Sequence, residues 1–184
     1  MPTQTVYHLT SQNGFDNLQA FQEPIPEPGP GEVLIKVRSV GLNYRDIVIA
    51  TGHYPLPTKP QVVPCSDMAG EVVAVGPWSE NSMQGPPLAV GDAVTAPPSP
   101  CFLYGGSDRR PDLMNFAWAG AKQDGVLREY LVMPAHLPVK LPQCTSSQDF
   151  VRWAAVPGTV STVWNTFYGN TPLKPGHTVL ILGT

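Results

Sequence analysis

Proline occupies twenty-two of the 184 positions, and it recurs from Pro2 to Pro175 instead of crowding one tail. Each one removes a backbone N–H donor and fixes φ, so a helix interior rejects it. Long helices are therefore excluded from most of the chain. Proline together with seventeen glycines would also suit a disordered polymer, but 42% of the residues are hydrophobic and run through the whole sequence. Such a chain can bury a core, and disorder is not expected. A body of short strands and loops follows.

The length suits one ordinary domain, or one domain and a piece of a second. A net charge of −3 and a pI near 5.7 leave no electrostatic footprint for nucleic acid or for an anionic membrane surface. Cys65, Cys101 and Cys144 lie far apart and include no C-x-x-C pair. They spell neither a disulfide framework nor a zinc knuckle. The start "MPTQTVYHLTSQ" has no basic segment followed by an apolar one, and no run approaches transmembrane length. The expected compartment is the cytosol.

"GEVLIKVRSVGLN" alternates, with Val33, Ile35 and Val37 on one face and Lys36 and Arg38 on the other. That pattern predicts a half-buried strand entered from the turn-rich "PEPGPG". "NYRDIVIATG" predicts one or two helical turns closed by Gly52. Further strands are expected in "AGEVVAVG", "VGDAVTA", "VLREYLVM" and "LPVKLP". Short strands at this spacing favour a small barrel or sandwich. The texture changes near residue 146. Ser146 stands three before Asp149, a capping-box pattern, and Phe150, Trp153 and Ala154 share a helical face. A second helix puts Val160, Val163, Trp164 and Phe167 on one face, with Gly169 as its C-terminal cap. Those aromatics are read as core. "LKPGHTVLILGT" then predicts a turn and a buried strand, the opening of a parallel α/β unit.

"PGPGEVLIKVRSVGLNYRD", "VPCSDMAGEVVAVG", "VGDAV", "DGVLREYLVMP", a Thr-Trp-Asn helix and "LKPGHTVLILGT" occur in this order. Together they resemble the N-terminal part of the medium-chain dehydrogenase/reductase family, from about Glu23 to Thr184. "GLNYRD" and "PCSDMAGEVVAVG" are most similar to its zinc-free, quinone-reductase-like and enoyl-reductase-like branch. The resemblance implies a mainly β fold. A GroES-like, partly open β-barrel with short helices would occupy 1–145. Linking helices and the first strand of a truncated Rossmann domain would occupy 146–184. In that family the last strand runs into a glycine-rich turn whose N–H groups hold a pyrophosphate. Gly183 would be the first glycine of that turn.

The resemblance also locates the chemistry. Zinc-dependent members hold Zn²⁺ with three protein donors and an open position. The matching places here are Asn43, Ser66 and Gly158, none a good ligand, and no metal is expected. Without a Lewis acid, alcohol oxidation is weakened. Hydride transfer to a quinone, enone or enoyl compound needs only a placed donor and polarising or protonating groups. NADPH is the expected cofactor, with NADH as the alternative. The substrate is a small molecule, and the full-length protein is a candidate homodimer.

Asn43 could orient a substrate or nicotinamide oxygen, or could cap the helical turn after it. Tyr54, in "GHYP", matches the proton-donating tyrosine of related enoyl reductases, or wedges into a proline-rich loop. Tyr44 could line the same pocket as a second proton donor, or simply pack. Thr162 falls where the family approaches the nicotinamide, or back-bonds to its own helix. Arg45 and Asp46 are expected to form a structural ion pair, and Asp67 to cap a turn. The rival function is a non-catalytic, shortened paralogue that binds or regulates a partner.

Overall fold

A computed structural model describes residues 1–77, 88–99, 119–144, 146–169 and 171–182. The chain is mainly β. Strands β1 (Thr3–Leu9) and β2 (Leu18–Pro24) form an antiparallel pair in register from Thr3 opposite Pro24 to Leu9 opposite Leu18. A second sheet has five strands: β3 (Glu32–Gly41), β4 (Asp67–Val75), β5 (Ala93–Thr95), β6 (Tyr130–Pro134) and β7 (Val139–Lys140). Its order is β6-β3-β4-β5-β7 and every pairing is antiparallel. Among the described residues there are three short α-helices, α1 (Tyr44–Ala50), α2 (Ser147–Ala154) and α3 (Ser161–Tyr168), besides a 3₁₀ turn at Phe15–Asn17 and a π turn at Val156–Val160. The two sheets meet where Tyr7 donates to the Leu127 carbonyl at 3.1 Å and Glu129 donates to that of Thr5 at 3.2 Å.

The alternation read in β3 is present, with Val33 and Ile35 fully buried. Arg38 faces outward to Glu71 at 2.8 Å, and the Lys36 ammonium lies 5.7 Å from the Tyr130 ring centre. Leu34 is buried as well. Irregular register at Leu34/Ile35 and Val37/Ser39 breaks the strict period of two. β4 is the central strand, buried continuously from Asp67 to Gly70. Ile35, Met68, Val72 and Val94 meet in the main core cluster. The strand expected over "VLREYLVM" begins late, because residues 126–129 bond to β1 and to the 63–65 stretch before the β3 ladder starts at Tyr130.

The starts of α1 and α2 obey the capping rule. The Asp46 carboxylate accepts from the Asn43 N–H at 2.8 Å, and that of Asp149 accepts from Ser146 at 3.0 Å. Gly52, at φ +74, closes α1 as expected, and its N–H donates to the Ile49 carbonyl. Gly169 ends α3 at φ −74, outside the left-handed conformation expected of it.

Two expectations fail at the C-terminal end. The apolar face of α3 is not core: Trp164 is 65% exposed and stacks on Tyr168 at 4.6 Å. Residues 178–182 form no ladder with any described residue, and Leu180, Ile181 and Leu182 are more than three-quarters exposed. An apolar run becomes a strand only when a neighbour takes its backbone hydrogen bonds, and no described element does so.

Candidate functional site

Three chain segments meet beside the start of β4. The first is the β3–α1 junction, where the chain leaves the sheet at Gly41 and Asn43 becomes the N-cap of α1. The second is Ser66-Asp67, at the entry to β4. The third is a wide π turn, Val156–Val160, between α2 and α3. Single π turns of this kind commonly mark functional sites.

Asp67 ties the three together. Its side chain is 1% exposed, and a carboxylate so buried must have its oxygens satisfied. Oδ2 accepts from the Asn43 amide nitrogen at 3.1 Å and from the Gly158 backbone N–H at 3.1 Å, while Oδ1 accepts from the Ser66 hydroxyl at 3.1 Å. A Cβ on residue 158 would lie 2.5 Å from Asp67 Oδ2 and 3.0 Å from Oδ1, so only glycine admits this approach. The Thr159 hydroxyl then lies 3.4 Å from Asn43 Oδ1, and that of Thr162 donates to the Gly158 carbonyl at 2.7 Å.

These residues wall a cleft of about 480 Å³, which Arg45, Tyr54, Pro98 and Val163 also line. Its size is that of a small-molecule site. The Tyr54 ring packs against the cluster of Leu9, Ile49, Ala50, Val62 and Ala121. No described residue takes a hydrogen bond from its hydroxyl.

The structure thus brings Asn43, Tyr54 and Thr162 into one cleft. Tyr44 is not among them. It is 79% exposed and lines a separate, mostly apolar cavity of about 410 Å³ with Phe15, Leu18, Leu42 and Ile47. Asn43 borders both spaces, whereas Tyr44 borders only the second. Thr162 makes the back-bond to its own helix and still lines the cleft. Gly183 and most of the loop from Pro97 to Gly120, Cys101 included, lie outside the described residues.

Arg45 and Asp46 feel each other's charge but make no salt bridge within 4.0 Å. Arg45 Nη2 donates to the Ala119 carbonyl at 2.7 Å, while Asp46 caps α1. Asp67 caps no turn of its own stretch; the turn N–H it accepts is that of Gly158, 91 positions on. Its signal in the sequence is an acid inside the apolar run "VVPCSDMAGEVV", which has to be satisfied by something. Burial pushes the Asp46 carboxyl above its ordinary 3.8, against the Asn43 N–H and the Arg45 charge, which pull it down. Between 3.8 and that raised value the folded chain binds more protons than the unfolded one, so stability falls as pH climbs through the interval. Asp46→Asn keeps an oxygen for the Asn43 N–H and should flatten that part of the profile. Urea midpoints for both chains from about pH 3.5 to 7 test this, and identical slopes would refute it.

Of the three positions that match the zinc ligands, Gly158 has no side chain to offer a metal, and Asn43 and Ser66 are held to Asp67 through Nδ2 and Oγ. Among the described residues no group of three or more His, Cys, Asp or Glu side chains is placed to hold a metal.

Comparison with known proteins bears on what such a cleft serves. The alcohol dehydrogenase GroES-like domain family matches residues 29–143. A zinc-type alcohol dehydrogenase-like protein of Schizosaccharomyces pombe is 36% identical over 94% of this chain and 47% of its own length. The chloroplastic quinone-oxidoreductase QR1 of Triphysaria versicolor is 40% identical over 39% of this chain and 22% of its own. Among solved structures, acetophenone reductase from Geotrichum candidum in complex with NAD superposes with a TM-score of 0.69 at 27% identity, covering 91% of this chain and 48% of that one. The chain spans about half or less of the length of these relatives.

Proposed function

The chain belongs to the alcohol dehydrogenase GroES-like family of medium-chain dehydrogenases/reductases, and from that premise we propose that it carries the catalytic-domain part of a zinc-independent, NAD(P)H-dependent reductase. Residues 1–145 make up the catalytic domain, and 146–184 lead into the dinucleotide-binding domain. The acceptor is a quinone, enone or enoyl compound. The observation that carries this reading is the cleft itself, where Tyr54 meets Asn43 and Thr162 with its hydroxyl unclaimed by any described residue. Zinc independence rests on the residue types at the three matching positions, Asn43, Ser66 and Gly158, none of them a good zinc ligand.

A bound nicotinamide supplies the hydride. This chain's own residues do the rest. Asn43 and Thr162 line the wall against which the nicotinamide and acceptor are held. Tyr54 keeps a phenolic proton at the cleft, and the acceptor takes it as its second addition after the hydride. The apolar surroundings of the Tyr54 ring fix its position while the hydroxyl stays available. NADPH is preferred over NADH on family grounds.

The test is NADPH oxidation, followed at 340 nm with a panel of quinones and enones. It is run on protein immunopurified from its source, with the intact mass measured beside the 19.8 kDa of this sequence. Turnover of at least one acceptor class is expected. Absence of turnover with either nicotinamide cofactor, in protein that is folded and of full native mass, would overturn the reading.

A further inference from the structure

Arg45 is the one cationic side chain among the described residues that line the cleft. A guanidinium joins a charge to a planar fork of N–H donors, the arrangement that suits an oxygen anion. Its place is fixed from behind. Nη2 donates to the Ala119 carbonyl at 2.7 Å, and the Ala119 N–H donates at 3.1 Å to the carbonyl of Pro98, itself a wall residue. Gly120 follows at φ +75, where a Cβ would lie 2.7 Å from the Cys65 carbonyl oxygen. Ala121 comes next, in the cluster against which the Tyr54 ring packs. One short turn thus holds Arg45 by its first residue and supports Tyr54 by its third. The other charge on the wall is Asp67. It is buried, and its oxygens accept from Asn43, Ser66 and Gly158, whereas Arg45 is only partly buried. Of the two charges, the positive one is the better placed to meet a ligand.

We propose that Arg45 is a catalytic residue of this cleft: its guanidinium binds the acceptor's carbonyl oxygen and holds the negative charge that forms there on reduction. The proposal rests on the reductase reading and adds to it the group that polarises the acceptor. Asn43, Ser66 and Gly158 offer a Lewis acid no good seat, which leaves that part to a fixed cation. An enone gains a hydride, two electrons and a proton, from NAD(P)H at the far carbon of its C=C bond. The displaced electron pair ends on the carbonyl oxygen as an enolate, which pairs with Arg45. The Tyr54 phenol then gives its proton to the nearer carbon, the C=O bond re-forms, and the phenolate regains a proton from water. In a quinone the charge falls on a ring oxygen, and that oxygen takes the proton. Charge-assisted bonds to the anion are stronger than those to the neutral carbonyl it came from, so the transition state gains more than the ground state.

The binding probe is 4-nitrophenol, whose ionised ring oxygen stands in for the reduced acceptor and is read by its visible absorbance. It is titrated into the 184-residue chain above and below its own ionisation, so each form is the control for the other. The ionised form should bind roughly tenfold more tightly or better. Arg45→Gln can still donate to the Ala119 carbonyl and lacks the charge. The preference should vanish in it and survive in Arg45→Lys. In enzyme of full native length, Arg45→Gln should lower kcat for an enone roughly 10²- to 10³-fold, with far less change in KM. A merely structural role would weaken both forms of the probe alike and leave their ratio unchanged. Should Arg45→Gln not fold, the ratio in the unaltered chain still decides, and Arg45→Lys must preserve it. Equal binding of the two forms, binding of neither, a preference that persists in Arg45→Gln, or a kcat indifferent to it would each overturn the proposal. A preference for the ionised form that Arg45→Gln abolishes, in a native-length protein that reduces no quinone or enone, would sink the reductase reading and leave Arg45 as an anion seat.

Discussion

Tyr54→Phe should lower kcat for NAD(P)H-linked reduction by roughly 10²- to 10⁴-fold, the usual contribution of a positioned proton donor. KM for the acceptor should move far less. The substitution removes one oxygen and keeps the ring, which packs against Leu9, Ile49, Ala50, Val62 and Ala121. Since no described residue is bonded to that hydroxyl, the fold loses no hydrogen bond described here, and the thermal midpoint should hold. This separates the two sequence readings of Tyr54. A wedge in a proline-rich loop predicts a stability loss for larger changes and no kinetic effect for phenylalanine. A proton donor predicts the reverse. An unchanged kcat would remove Tyr54 from the chemistry and leave only its packing role.

Gly125→Ala should have the largest effect on stability. A Cβ at this position would overlap the carbonyl oxygens of Cys65 and Pro64 and lie 2.8 Å from the Pro64 carbonyl carbon. All of these are backbone atoms that cannot rotate away. The Gly125 N–H donates to the Val63 carbonyl at 2.6 Å, and that of Val126 donates to Cys65 at 3.1 Å, so the two stretches are locked together. Cys65 itself holds φ +68, a conformation rare for a side chain other than glycine. Overpacking against fixed backbone costs about 3 kcal/mol. For a chain of this size that is a fall of roughly 6–12 °C in the midpoint, measured by calorimetry or circular dichroism. A loss below about 1 °C would mean that the 63–65 stretch yields freely. Since Ser66 and Asp67 follow directly, a yielding stretch would also loosen the cleft.

Local chemistry made much of this fold legible. Apolar alternation marked β3, and "AGEVVAVG" marked most of β4. Ser146 with Asp149 announced one helix start, because a capping residue and its partner lie only three positions apart; Asn43 was legible as a cap of α1, but its partner Asp46 was read as an ion-pair residue. What escaped was decided at a distance. Asp67 looked like a turn residue because its partners, 24 and 91 positions away, leave no periodic trace. Asn43 and Tyr44 are neighbours, yet Asn43 borders both the cleft and the second cavity while Tyr44 borders only the second, a difference that adjacency in sequence does not reveal. The faces of α3 and of residues 178–182 were apolar enough to read as buried. Hydrophobicity, however, says only that burial is favourable, not that this chain holds the surface that would provide it.

The π turn between α2 and α3 has an evolutionary consequence. Each residue added to or removed from a helix turns everything beyond it by about 100°. A one-residue deletion within 156–160 would swing Thr162 off the cleft wall and carry the Gly158 N–H away from Asp67. The same codons can accept many point substitutions on their exposed faces. Descendants of this gene should therefore keep the junction's length fixed, residue for residue, and keep Gly158, while its exposed positions vary.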